Sequence, residues 1–253
     1  MAWLMQAGLS IFLADLQDPV QEPEVPEEDL QVQDHNFVPK CLFLTKPARP
    51  DISTAVAFLS TGVKASDVDD WKKVTQMIRY LRGTIDMPLI LRADSVPVPK
   101  WWVDGSHATH PNMRGHTGGC MSLGKGMPIS ISTKQKLNTR SSTETELVAA
   151  DDFMPIILWT NYFLEAQGYG HQDTILYQDN QSAILLEKNG RKSSSKRTKH
   201  LNCRFYFITD RINNNDLSVE YCPTEEMVGD FFTKPLQGKL FYKFRASIMN
   251  LKE

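Results

Sequence analysis

The alternation of apolar and polar positions changes period along the chain. Between Asp67 and Gly83, Trp71, Val74, Ile78 and Leu81 recur at helical spacing and predict one amphipathic helix with a single buried stripe. Ser66 is its expected N-cap, Asp69 and Asp70 lie in its first turn, and Gly83 stands just past its end. Further on, short β-rich runs take over: "KWWVDGS", "TGGCMSL", "PISIST", "TILYQDN" and "DLSVEYC", each bounded by Gly, Pro, Asn or Asp. A long helical pattern from Thr143 to Gln167 follows the third run, and helical patterns follow the fourth and fifth. The order is βββαβαβα, a mixed α/β sheet. Pro155 interrupts the long helix, removes one hydrogen bond and predicts a bend, with the first half as a separate unit.

Composition divides the chain into three parts. Residues 15–36, "DLQDPVQEPEVPEEDLQVQDHN", are acidic, Pro-broken and free of Lys or Arg. Such a stretch buries too little apolar surface to order itself, so 1–36 is expected to be a largely disordered tether. A small helical unit over 37–96 and the α/β region over 97–250 complete the division. The opening "MAWLMQAGLSIFLADL" is shorter than the roughly 20 residues a membrane helix needs and lacks the basic start of a signal peptide. Four scattered cysteines with no C-x-x-C pair disfavour a zinc site. They read as buried thiols of an intracellular protein, cytoplasmic or nuclear, that is not secreted and has no membrane partner.

With 28 Lys+Arg against 30 Asp+Glu the net charge is -2, so no global positive field announces a nucleic-acid partner. Charge is instead local. Lys134, Lys136 and Arg140 precede the long helix, and Lys188, Arg191, Lys192, Lys196, Arg197 and Lys199 follow the fourth strand. Between these clusters, Asp104 closes the run "WWV" and Asp179 closes "ILY". A single acid at a strand end often only starts a turn. Two in one sheet, with a helix-borne Glu, point further: carboxylates sharing a cleft repel one another unless a cation neutralises them, and hard Mg²⁺ prefers oxygen ligands. Metal-assisted phosphodiester chemistry is the natural product of that arrangement.

Glu144 and Glu146 open the long helix two residues apart, a step that turns the side chain by roughly 200°, so they cannot share one site. Glu144 stands three after Ser141 and fits a capping box. Glu146 heads the stripe Ala150, Phe153, Ile157, Leu164.

The segments "WWVDGSHATHPNMRGHTGG", "STKQKLNTRSSTETELVAADD", "YQDNQSAILLEKNG", "KRTKHLN" and "VEYCPTEEMVGDFFTKPL" together resemble the ribonuclease H domain of copia-type LTR retrotransposon polyproteins. The segment from "PARPDISTAVAFLS" to "RGTIDMPL" resembles the thumb or connection region that follows reverse transcriptase in the same polyproteins. The resemblance implies a ribonuclease H-like five-stranded mixed sheet flanked by helices. It also implies an endonuclease that cuts the RNA strand of RNA·DNA hybrids with two Mg²⁺ ions, Mn²⁺ being a substitute. The family's four carboxylates fall on Asp104, Glu146, Asp179 and Asp230, as catalytic residues and metal ligands. In this pattern Asp104 bridges both ions, Glu146 and Asp179 hold one, and Asp230 holds the other. On the residues alone, "TEEMVGDFF" reads instead as the start of an amphipathic helix with acids at its N-terminus.

Substrate contacts are expected from the donors Ser141, Ser142 and Asn180 and from Lys134, Arg140, Lys196, Arg197, Lys199 and His200, which would position a duplex through its phosphates. Where cellular relatives of the fold carry a histidine before the last helix, this chain has "CPTEE", which leaves His171 and His200 without that assignment. Reverse transcriptases need a Y-x-D-D turn, whereas the Asp pairs here, "VDDW" and "AADDF", lie in helical patterns. The chain is therefore not expected to copy nucleic acid by itself, and the remainder of a reverse transcriptase is its expected partner. An integrase of the same fold would carry its Glu last, and here the Glu comes second. A non-catalytic nucleic-acid-binding or assembly remnant is the alternative reading.

Overall fold

The computed structural model describes residues 37–63, 66–170, 173–190 and 202–251. The expected tether, His171 and the run Arg191–His200 lie outside them. The helical unit begins with α1 (37–45), a short 3₁₀ turn at Pro50–Ile52, α2 (Ser53–Gly62) and α3 (Val68–Gly83). Its apolar faces meet in one cluster of Val38, Cys41, Leu44, Ile52, Val56, Leu59, Val74, Met77, Ile78 and Leu81. The stripe predicted for α3 is thus its buried face. The cap is one residue later than predicted, because Asp67, not Ser66, accepts the Asp70 N–H at 2.9 Å. The carboxylate also suits the positive end of the helix. Gly83 is the last helical residue, and Thr84 is the C-cap.

Five strands form the central sheet: β1 (Lys100–Ser106), β2 (His116–Ser122), β3 (Ile129–Lys134), β4 (Ile175–Gln178) and β5 (Ser218–Tyr221). Their spatial order is β3-β2-β1-β4-β5. The first three are antiparallel neighbours, while β4 joins β1 and β5 joins β4 in parallel. The parallel joins require crossovers, supplied by α4 (Ser142–Ala166) and by α5 (Gln181–Asn189) with α6 (Asn202–Asn213). This is the expected ribonuclease H-like mixed sheet with flanking helices.

Alternation along β1 and β2 divides the core. Trp101, Val103 and Met121 pack against Ala149, Phe153 and Ile157 of α4 on one face. On the other face, Trp102 and Cys120 pack with Phe231, Phe232 and, from α7 (Gly238–Met249), Phe244 and Ile248.

Two expectations are corrected. Helix α4 is one helix of 25 residues that continues through Pro155. Pro155 is exposed, so the carbonyl it leaves without a donor can turn to water while Phe153, Met154 and Ile157 hold both halves on the sheet. The segment around Asp230 is not the start of the last helix: Val228–Phe232 is a 3₁₀ turn and α7 begins at Gly238. Pro235 disfavours helical backbone at the residue before it and removes a donor, so a helix begun at Glu225 could not continue into α7.

The helical unit is joined to the sheet by specific contacts. Thr54 Oγ1 donates to the Phe231 carbonyl at 2.5 Å, and Phe58 stacks on both His110 and His116 with centroids 4.9 and 4.6 Å away. Among the described residues no helix is long and apolar enough to cross a membrane.

Candidate active site

Strand register alone brings two acids together. Trp102 is the last residue of β1 to pair across the parallel join, with Tyr177, so two residues further on Asp104, still within β1, and Asp179, just past the end of β4, come side by side. Glu146 comes from α4, which crosses β1 closely enough that a Cβ on Gly105 would lie 2.7 Å from the Thr145 carbonyl oxygen. Glycine at 105 is what permits this approach. Its own N–H donates to Glu146 Oε2 at 3.1 Å and fixes the carboxylate beside Asp104.

One carboxylate oxygen from each of Asp104, Glu146 and Asp179 lies within 4.8 Å of the others. Asp104 and Glu146 are buried, and Asp179 is half-buried. Burial and the charges of Asp104 and Asp179 raise Glu146 well above the ordinary carboxylate range. Asp179 is raised by its own burial and by Asp104. Three hard oxygen donors brought together from three elements fit a hard divalent cation such as Mg²⁺.

Asp230, on the 3₁₀ turn after β5, is not one of these three but lies near Asp104, buried at 3% exposure and pushed up to about 7 by burial and by Asp104. Lys234, one turn on, places its Nζ 2.7 Å from Asp230 Oδ1 and 3.5 Å from Asp104 Oδ2. Asp104, with Asp230, raises its ammonium above the usual lysine range against the effect of burial. Thr233 Oγ1 donates to Asp104 Oδ2. Neither Thr233 nor Lys234 was singled out from sequence. The available signal was Lys234 four residues after an acid in "DFFTK", a spacing that reads equally well as a surface pair.

The two glutamates of α4 separate by role. Glu144 accepts the Arg140 N–H at 2.7 Å, and its own N–H donates to Ser141 Oγ at 3.2 Å, a capping box shifted by one residue at its second bond. Both glutamates are buried, so burial does not tell them apart. Only Glu146 is turned into the carboxylate cluster.

Of the expected substrate contacts, Ser141 is the N-cap of α4 and Asn180 the N-cap of α5. Asn180 Oδ1 accepts the N–H groups of Ser182 and Ala183 at 3.1 Å each. These caps consume acceptor oxygens and leave the O–H and N–H donors. Ser142 and Arg140 are exposed beside the cluster's helix, and Lys134 is half-buried at the end of β3. Lys196, Arg197, Lys199 and His200 fall outside the described residues.

A mixed five-stranded sheet with acids at the ends of its two central parallel strands, a third acid on the crossing helix and a fourth behind them defines a ribonuclease H-like domain. Its homologues are retrovirus-related Pol polyproteins of copia-type transposons. The chain is 33% identical over 194 residues to the Pol polyprotein from tobacco (Nicotiana tabacum) transposon TNT 1-94, a match that takes in 76% of this chain and 14% of that protein. It is 30% identical over 206 residues to the one from Arabidopsis thaliana transposon RE2, covering 81% of this chain and 14% of the relative. The chain thus spans only about a seventh of each, 14%. No family model matches. Among solved structures, LC11-RNase H1, isolated from compost by a metagenomic approach, aligns over 53% of this chain and 91% of its own at 11% identity and a TM-score of 0.41.

Proposed function

We propose that this chain is a metal-dependent endonuclease that cleaves the RNA strand of RNA·DNA hybrids, as a segment of a copia-type Pol polyprotein. The observation that carries the reading is the convergence of Asp104, Glu146 and Asp179 from three separate elements. Kinship with Pol polyproteins supports it, since reverse transcription produces hybrids whose RNA must be removed.

In this reading Asp104 stands at the centre, with Glu146 and Asp179 on one side and Asp230 on the other. When bound, Mg²⁺ or Mn²⁺ would activate water and stabilise the leaving oxygen. The chain's own residues do the rest. The Gly105 N–H and the Thr233 hydroxyl orient Glu146 and Asp104. The Lys234 ammonium offsets the negative charge shared by Asp104 and Asp230. Arg140, Lys134 and the basic run at 196–199 contact phosphates, while Ser141, Ser142 and Asn180 offer donors for 2′-hydroxyls.

The Asp pairs 69–70 and 151–152 lie in α3 and α4, so a polymerase centre would come from a partner, the remainder of the reverse transcriptase. Buried, unpaired thiols at Cys41, Cys120 and Cys222 support an intracellular setting.

The deciding experiment is cleavage of an end-labelled hybrid by the purified chain with Mg²⁺ and with chelator, alongside Asp104→Asn. RNA-strand cleavage that needs the metal and vanishes in the folded variant is expected. Metal-independent cleavage, or an active Asp104→Asn, overturns the reading. A parent chain that binds hybrid without cutting it is instead a non-catalytic remnant.

A further inference from the structure

A carboxyl group that takes no part in the cluster lies behind it. Glu187, on α5, is fully buried, and so is Gln178, the last residue of β4 and the neighbour of Asp179. With its amide nitrogen turned toward α5, Gln178 donates to Glu187 Oε2 at 2.7 Å and to Oε1 at 3.2 Å. The two ends of this pair are held independently. The Gln178 carbonyl accepts the Cys222 N–H at 2.8 Å, and the Glu187 carbonyl accepts the Thr209 hydroxyl at 2.7 Å. On the far side of Asp179, Asn180 caps α5.

We propose that Gln178 and Glu187 form a clamp that fixes the turn carrying Asp179, which makes both of them positioning residues for the metal site. The proposal rests on the reading of that site as a metal centre.

Stability does not account for the pair. A buried polar pair is often no more stabilising than apolar side chains of similar volume, since both members lose their water. What two directed hydrogen bonds add is direction, and Asp179 is where direction matters: it is the only half-buried member of the cluster and sits in a bend between strand and helix. Burial pushes the Glu187 carboxyl up to about 8, so at neutral pH it is mostly uncharged. In its neutral form the acid still accepts the Gln178 amide through its carbonyl oxygen and adds no further negative charge behind the carboxylate cluster.

The test compares the parent with Glu187→Gln and with the double variant Gln178→Leu/Glu187→Leu, which removes both polar partners and leaves none stranded in the core. Melting temperature, Mg²⁺ binding by calorimetry without nucleic acid, and hydrogen exchange at the Cys222 and Ala183 amides are measured. The double variant is expected to melt like the parent, to exchange faster at those amides and to bind Mg²⁺ about tenfold more weakly, the low end of losses seen for groups that orient metal ligands. Glu187→Gln is expected to bind Mg²⁺ like the parent. A folded double variant with parental Mg²⁺ affinity and parental exchange overturns the clamp. A parent that binds no Mg²⁺ overturns the metal-centre reading, and the exchange data then show separately whether the pair fixes the turn.

Discussion

At the scale of single residues, the side chain's direction decides which acid joins the carboxylate cluster. Glu144 and Glu146 are the same residue type, both buried, on one helix. Glu146→Gln is expected to abolish hybrid cleavage and leave the fold intact. Glu144→Gln is expected to retain cleavage and lose up to about 1 kcal/mol of stability, as weakened caps do. Melting and cleavage measured on both variants check this, and the reverse pattern would reassign the pair.

Lys234 is a second residue-scale case. Its ammonium lies against Asp230 and near Asp104, so Lys234→Met leaves two buried carboxylates without that cation. Removing one partner of a fully buried ion pair costs several kcal/mol, but the lysine side chain is 39% exposed and water screens part of the interaction. Destabilisation of about 1–2 kcal/mol in chelator is expected by denaturant titration, with a smaller loss once saturating Mg²⁺ supplies positive charge.

At the scale of elements, the site depends on how closely α4 crosses β1. A Cβ on Gly105 would come within 2.7 Å of the Thr145 oxygen and 2.8 Å of its carbonyl carbon, backbone that cannot swing aside. Gly105→Ala therefore pushes the helix start away from the strand, and Glu146 with it. A loss of about 2–3 kcal/mol, as for other overpacked sites, is expected together with weaker Mg²⁺ binding. Denaturation and calorimetry on the one variant test both. A comparable loss of stability with unchanged metal affinity would show that the contact does not set the position of Glu146. Gly118 has the parallel role on the other sheet face, where a Cβ would meet the Phe232 carbonyl at 2.6 Å.

At the scale of the whole molecule, gathering acids costs the metal-free fold stability in a pH-dependent way. Glu146, Asp179, Asp230 and Glu187 all take up protons more readily in the folded state than an unfolded carboxylate does. The folded state then binds more protons than the unfolded one over the interval from about 4 up to the folded values of about 7 for Asp230 and about 8 for Glu187. Their contribution to stability falls as pH rises through that window. In chelator, the melting temperature is expected to decline from pH 5 to 8, and saturating Mg²⁺ is expected to flatten the decline. A melting temperature that climbs across the same range in chelator would show that the cluster is not under this electrostatic load.

The five strands, the stripe of α3 and the long helix were legible in the sequence, because side-chain period follows from backbone geometry and needs no partner to be read. The caps were legible to within a residue for the same local reason: Ser141 and Glu144 satisfy backbone groups only a few positions away. Motif likeness singled out four acids, but the convergence of Asp104, Glu146 and Asp179 is a property of strand register and of the glycine contact at 105, and the turn at 228–232 sets Asp230 near Asp104. The continuity of α4 through Pro155 was likewise a tertiary outcome, since the sheet supplies the packing that the missing hydrogen bond does not. Lys234 and Glu187 show the limit most clearly: in sequence each is a charged residue on a helix-like pattern, and only the folded chain places one against two carboxylates and buries the other behind the site.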